Sequence, residues 1–308
     1  MLKKDDLIKI VGNPKKELSN ECIYVNYKNF CKDLSVKDKI LIDDGDLELE
    51  VVEKKENKLI VRVKNSGKIK GRKSVNFPGV HMNLPSLSKR DKDYIEYAIK
   101  NKLDFIAHSF VRDKKDLMEI QKILDKRKSK IKIISKIENQ EGVENIDEIL
   151  DNCYGVMIAR GDLGIEIPAE RLPIIQRKII EKCIENKKPV IVATQMLHTM
   201  IKNPRPTRAE ISDIANAVYL GADAIMLSGE TTVGDYPLEA VKIMTKVSKE
   251  IEKEKSSFNP APVKKINKKI FGFITKSAVR ASLLLPVKAI ITDTNSGRTA
   301  RELSAYRG

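Results

Sequence analysis

The sequence predicts an α/β protein in which a β-rich module precedes consecutive βα units of a parallel barrel. Three observations carry this. Residues 1–84 alternate apolar and polar residues in short runs broken by turn residues. From residue 85 onward, continuous apolar runs of strand composition recur, each followed by an amphipathic helical pattern. The starts of those runs lie roughly 25–35 residues apart, the length of a βα unit.

In the first module, KDKILIDDGDLELEVVEKKENKLIVRVKNSGKIKGRKSVNF reads as half-buried strands with turns at Asp44-Gly45, Asn57 and Ser66-Gly67. No helical period is visible there, and a small barrel or sandwich fits the pattern. The later runs are DFIAHSF (104–110), IKIISKIE (131–138), GVMIARGD (155–162), PVIVATQ (189–195) and AIMLSGE (224–230). Strands this continuously apolar are expected to be covered on both faces, as in a parallel sheet. EKEKSSFNPAPVKK (252–265) reads as a linker. A helix over NKKIFGFITKSAVRASLLL, a strand over VKAIITDT and a turn opening a helix at SGRTARELSAYR follow it. The expected domains are therefore 1–84, 85–255 and 256–308.

Composition excludes several classes. The 308 residues are 41% hydrophobic and 33% charged, ordinary for a folded soluble protein. No apolar stretch is long enough for a membrane span, and MLKKDDLIKIVG lacks the apolar core of a signal peptide. Cys22, Cys31, Cys153 and Cys183 show no C-x-x-C spacing, so reduced thiols in the cytoplasm are expected. The net charge of +15 is concentrated at the ends, and residues 86–263 carry 30 basic against 28 acidic residues. With 5% aromatic residues and no Trp, stacking platforms for nucleic acid are scarce. An anionic small ligand is the more useful reading of the charge.

Chemistry in a parallel barrel sits at the carboxyl ends of its strands. The five runs finish in Ser109, in Lys136 and Glu138, in Arg160-Gly161-Asp162, in Thr194-Gln195, and in Ser228-Gly229-Glu230. Alternation puts Lys136 and Glu138 on one side of their strand. A strand-end salt bridge is the plain account of the pair; a cation beside a metal-binding carboxylate is the functional one. Glu138 and Asp162 would repel on neighbouring strands without a cation between them, and a few hard oxygen ligands suit Mg2+ or Mn2+. Gly161 permits close backbone approach to an anion. His81, His108 and His198 have no ligand spacing, Met157, Met196 and Met226 sit in apolar runs, and Asp43-Asp44-Gly45 reads as a hairpin turn.

IISKIENQEGVENIDEIL, MIARGDLGIEIPAERLPIIQ, ATQMLHTMIKNPRPTRAEISDIANAV and IMLSGETTVGDYPLEAV resemble the central blocks of the pyruvate kinase family. ILIDDGDLELEV followed by SVNFPGVHMNLPSLSKRD is similar to that family's lid domain and its return into the barrel. The resemblance implies strands 4–8 of a partial TIM (β/α)8 barrel, an inserted small β-barrel lid and the start of an α/β regulatory domain. It implies transfer of a phosphoryl group from phosphoenolpyruvate to ADP, giving pyruvate and ATP in the last step of glycolysis. Lys136 would stabilise charge on the phosphoryl group and the enolate, and Glu138 and Asp162 would hold Mg2+ or Mn2+. The backbone of Gly161 and Asp162 would bind the substrate carboxylate, with Arg160 ordering that loop. Thr194 would lie near the enolate carbon, Ser228 would match a proton-relay position, and Lys73 would reach the nucleotide phosphates. Thr294, Ser296, Gly297, Arg298 and Thr299 match in part a loop that binds a sugar-phosphate effector; a plain helix N-cap is the other reading.

The resemblance also implies K+, whose ligands the family places in opening blocks without a counterpart here, and a homotetramer in the full-length protein. Three barrel strands have no counterpart either, so the chain reads as an internal, catalytically inert fragment. A metal-dependent aldolase or lyase barrel is the alternative, weakened by the lid inserted between barrel strands. A basic binding protein without catalysis is weakened by the joint presence of Lys136, Glu138, Asp162 and Thr194.

Overall fold

The computed structural model describes residues 1–12, 22–43, 45–69, 71, 73–254 and 270–306. The chain divides into two compact units, Met1–Lys89 with Gly161–Leu172, and Arg90–Arg160 with Pro173–Gly308. Most of the expected linker, from residue 255 on, lies outside the described residues, as do Asp44 and the start of the helix expected at 267.

The first unit is built on β1 (Leu7–Gly12), β2 (Cys22–Val25), β3 (Lys39–Ile42), β4 (Leu47–Lys55), β5 (Lys58–Val63) and β6 (Val75–Asn76), in sheet order β2-β1-β5-β4-β3-β6. All pairs are antiparallel except β1 with β2. Strict alternation makes the core: Leu47, Leu49 and Val51 of β4 are buried while Glu48 and Glu50 face outward. A short helix, α1 (Phe30–Asp33), interrupts the strands. One turn of helix is too short to show a period in sequence, which is why the alternation reading misses it. Phe30 is fully buried and meets Phe77 with ring centroids 5.3 Å apart.

The second unit holds a five-stranded sheet, β7 (Phe105–His108), β8 (Lys132–Ile137), β9 (Gly155–Ala159), β10 (Val190–Ala193) and β11 (Ala224–Met226). They lie side by side in sequence order and all parallel, as the five apolar runs predict. α2 (Lys89–Lys100) precedes the sheet, and α3 (Lys114–Lys126) follows β7. α4 (Gln140–Glu144) and α5 (Ile146–Asn152) follow β8; α6 (Arg160–Glu166) and α7 (Leu172–Glu185) follow β9. α8 (Arg208–Tyr219) follows β10, and α9 (Gly229–Thr232) and α10 (Pro237–Glu254) follow β11. Ile133, Ser135 and Ile137 alternate with Ile134 and Lys136 along β8. Ile134 packs with Met157 and Ala193 in one apolar cluster, so Lys136 emerges on that same side at the strand's carboxyl end.

α11 (Ile270–Leu284) and α12 (Arg298–Ala305) agree with the two helices expected near the end. The strand expected at VKAIITDT does not form: residues 287–294 have no ladder partner among the described residues, and Ile291 is 95% exposed. β composition gives a strand only where a neighbour supplies the hydrogen bonds. Among the described residues, no helix is long and apolar enough to cross a membrane.

His108 ends β7 buried, directly opposite Ser135, and neither His108 Nε2 nor Ser135 Oγ has a hydrogen-bond partner among the described residues. Burial pulls the His108 pKa below its ordinary value, against the opposing field of Asp116 and nearby acids. The unfolded chain takes up this proton near pH 6.5, whereas the folded chain does so only at lower pH. Stability from this site is therefore complete above that pH and is lost as pH falls through the folded pKa. Urea midpoints at pH 7.5 and 5.5 should show a drop in the wild type that is smaller in His108→Leu. Equal drops would contradict the reading.

Candidate active site

The loops after β7 and β8 are locked together. Asn139 caps α4 by accepting from the Gly142 amide at 2.7 Å, and its side-chain amide donates to the Val111 carbonyl at 3.4 Å. Gly142 is required here, because a Cβ would lie 2.5 Å from that same carbonyl oxygen. This close approach brings the Phe110 amide onto Glu138, donating to Oε2 at 2.7 Å. Lys136 Nζ lies 2.7 Å from Glu138 Oε1 and donates to Ser109 Oγ at 2.8 Å. The Glu138 side chain is 1% exposed and that of Lys136 23%, so the carboxylate is sealed in while the ammonium keeps a route outward.

Arg160 follows β9, and its side chain is 7% exposed. It donates to Asp213 Oδ1 on α8 at 2.7 Å and to the Thr194 carbonyl at 2.8 Å. Asp213 supplies the counter-charge that a buried guanidinium requires. Thr194 and Gln195 are consecutive residues with φ of 71° and 55°. Left-handed backbone at non-glycine residues costs on the order of 1–3 kcal/mol each. A hydrogen bond from a charged donor contributes about 1.5–3 kcal/mol, so the Arg160 bond is of the size needed to hold the Thr194 turn. The Thr194 hydroxyl donates to the Ala193 carbonyl at 2.6 Å.

Beyond that turn, Thr207 and Glu210 form a capping box at the start of α8. Glu210 also accepts from the Thr199 amide at 2.7 Å, which ties the turn at His198–Ile201 to the helix. Burial raises the Glu210 pKa, but the amides and hydroxyls of Thr199 and Thr207 together outweigh it and hold the carboxyl below its usual range. Ser228 caps α9, and its amide donates to Glu230 Oε2 at 2.8 Å.

The structure thus joins Lys136 to Glu138 and Arg160 to Thr194, and places Ser228 at the end of the neighbouring strand unit. Gly161 and Asp162 fall in the first turn of α6, within the other compact unit. β9 ends at Ala159, three residues before Asp162, where the sequence reading runs the strand through to Asp162. Lys73 is also in the first unit, paired with Asp43 at 2.7 Å. Gly297, with φ of 72°, caps α12 without a side-chain hydrogen bond, and the Arg298 guanidinium lies 5.3 Å from the Phe271 ring centre. Thr294 and Ser296 precede that cap and Thr299 lies in the first turn. Sequence reasoning does not single out Asp213 or Glu210 as supports, although Thr-x-x-Glu at 207–210 is a legible capping signal.

No group of three or more His, Cys, Asp or Glu able to hold a metal gathers among the described residues. Mg2+ asks for less, since one or two carboxylates suffice when water and phosphate oxygens complete its shell. Glu138 offers hard oxygens of the type such an ion takes, but Oε1 is held by Lys136 and Oε2 by the Phe110 amide, so an ion would have to use the lone pairs those partners leave open.

These features define an α/β domain whose parallel sheet carries its polar groups at the carboxyl ends of the strands, as in part of a barrel. A family profile described as "Pyruvate kinase, barrel domain" matches residues 1–241. Pyruvate kinase of Borreliella burgdorferi is 50% identical over all of this chain, which spans 64% of that relative. Those of Bacillus licheniformis and Geobacillus stearothermophilus are each 46% identical over 97% of this chain, which covers 51% of each. The chain belongs to the pyruvate kinase family. That membership sets aside the aldolase or lyase alternative.

Arg160→Lys keeps the charge but loses the fork that reaches Asp213 and the Thr194 carbonyl together. Urea denaturation should show a loss of about 1–3 kcal/mol. A change within about 0.5 kcal/mol, the range of an ordinary surface substitution, would contradict the bracing role.

Proposed function

We propose that this chain carries the central catalytic part of a pyruvate kinase, which transfers the phosphoryl group of phosphoenolpyruvate to ADP and yields pyruvate and ATP. The observation that carries the reading is the partly exposed Lys136 ammonium, fixed by Ser109 and the sealed Glu138 at the carboxyl end of β8. Phosphoryl transfer asks for positioning and fixed positive charge more than for covalent chemistry, and a braced ammonium supplies both.

In this reading Lys136 faces the transferring phosphoryl group and the enolate oxygen. Glu138 and Asp162 are the carboxylates for Mg2+ or Mn2+; such an ion, when bound, neutralises phosphoryl oxygens. Backbone amides at Gly161 and Asp162 take the substrate carboxylate. Thr194, on its braced turn, delivers the proton that converts the enolate to pyruvate, with Ser228 in the relay. A hydroxyl suffices there, because the enolate is itself strongly basic. Lys73, in the first unit, binds nucleotide phosphates. The family carries a requirement for K+ as well. The segment Thr294–Thr299 as an effector loop, the start of an α/β regulatory domain, a homotetramer and a cytoplasmic location belong to the same reading.

Lys136→Met in the full-length gene product should lower kcat by roughly 10³ or more, comparable to loss of another transition-state cation. KM for phosphoenolpyruvate should move only a few-fold, because the charge develops during transfer. Equal losses in affinity and turnover would show a ground-state role instead. The 308-residue chain alone, whose described parallel sheet has five strands where a closed barrel has eight, is expected to be inert and serves as the control. Separately, Asp162→Asn should remove most Mn2+ affinity in a relaxation titration. An unchanged binding curve would remove Asp162 from the metal site.

A further inference from the structure

Glu230 is a second carboxylate sealed inside this unit, at 1% exposure. Its two oxygens serve different loops. Oε1 accepts from the Leu197 amide at 3.0 Å, in the loop after β10, and Oε2 accepts from the Ser228 amide at 2.8 Å, in the loop after β11. Leu197 lies three residues beyond Thr194, so one side chain spans both hydroxyl-bearing loops.

The surroundings leave that side chain little freedom. Gly229 sits against the turn His198–Ile201 so closely that a Cβ there would lie 2.9 Å from Ile201 Cδ1. The Asp235 amide donates to the Ile201 carbonyl at 2.9 Å and closes the far end of α9 onto the same turn. Both partners of Glu230 are N–H donors, so only a group that accepts at both ends satisfies them. Glutamine offers one acceptor and one donor, and would set its NH2 against an amide. Burying a carboxylate for two amide bonds is an expensive way to join two loops, which points to a need for fixed spacing.

We propose that Glu230 is a positioning residue that holds the Thr194 and Ser228 loops in register for proton delivery to the enolate. The proposal rests on the pyruvate kinase reading for the roles of Thr194 and Ser228, while the strap itself rests on geometry alone. Glu230 touches no reacting atom; it acts through the two backbones.

The test uses the full-length gene product with Glu230→Gln, and Glu230→Asp, which keeps the charge on a shorter arm. Hydrogen–deuterium exchange by mass spectrometry should show peptides covering 195–199 and 228–231 exchanging roughly tenfold to a hundredfold faster, the effect of losing a charge-assisted bond. Exchange of the pyruvate methyl hydrogens with solvent deuterium, which reads proton transfer without phosphoryl transfer, should fall by roughly tenfold to a hundredfold. KM for phosphoenolpyruvate should stay within a few-fold. Unchanged amide exchange, or unchanged methyl exchange in an active enzyme, would overturn the proposal. If both variants fail to fold, the carboxylate serves folding and the positioning role is overturned. A wild-type enzyme that makes no pyruvate from phosphoenolpyruvate and ADP would instead sink the pyruvate kinase reading, with amide exchange still deciding the strap.

Discussion

Burying the Glu138 carboxylate is costly unless partners surround it, and the local build of the site follows from meeting that cost. The Phe110 amide and the Lys136 ammonium are those partners. To present that amide, the loop after β7 must run against the first turn of α4, which requires glycine at 142 and the Asn139 cap. A buried ion pair adds little net stability over an apolar replacement of the same shape, whereas removing one member costs about 3–5 kcal/mol. The pair is therefore poor as a stabiliser and effective as a locator. It fixes where the ammonium of Lys136 can be.

The same logic recurs around the sheet. Arg160 after β9 is sealed, compensated by Asp213, and spends a hydrogen bond on a strained carbonyl at Thr194. Glu230 after β11 is sealed and spends both oxygens on amides of neighbouring loops. Three buried charges, two just past the carboxyl ends of β8 and β9 and one in α9 after β11, convert loops into fixed geometry. Catalysis of phosphoryl transfer depends on positioning to within fractions of an ångström, which loops do not provide unaided.

Much of this was legible in the sequence. The five apolar runs gave five parallel strands in order; β8, β9 and β10 are buried along most of their length as continuous apolar runs lead one to expect, whereas the outer strands β7 and β11 are exposed or half-buried along most of theirs. Alternation placed Lys136 and Glu138 on one side of their strand, and the structure joins them, with Glu138 just past the end of β8. Other features were hidden because they depend on contacts distant in sequence. Nothing local marks Asp213 as the partner of Arg160, 53 residues earlier. The paired left-handed residues Thr194 and Gln195 contradict local preference and exist through tertiary bracing. The strand expected at 287–294 failed for the converse reason, since its composition suits a ladder that no neighbour among the described residues provides.

Phosphoryl transfer from an enol phosphate to a nucleoside diphosphate is the activity we propose for the whole protein, with these braced groups at its centre. The direct measurement is a coupled assay on the full-length gene product with phosphoenolpyruvate, ADP and Mg2+, following pyruvate and ATP separately. Pyruvate and ATP rising together in equal amounts is the predicted result. Pyruvate without ATP would mean hydrolysis in place of transfer, and no pyruvate at all would mean a different substrate; either would contradict the account.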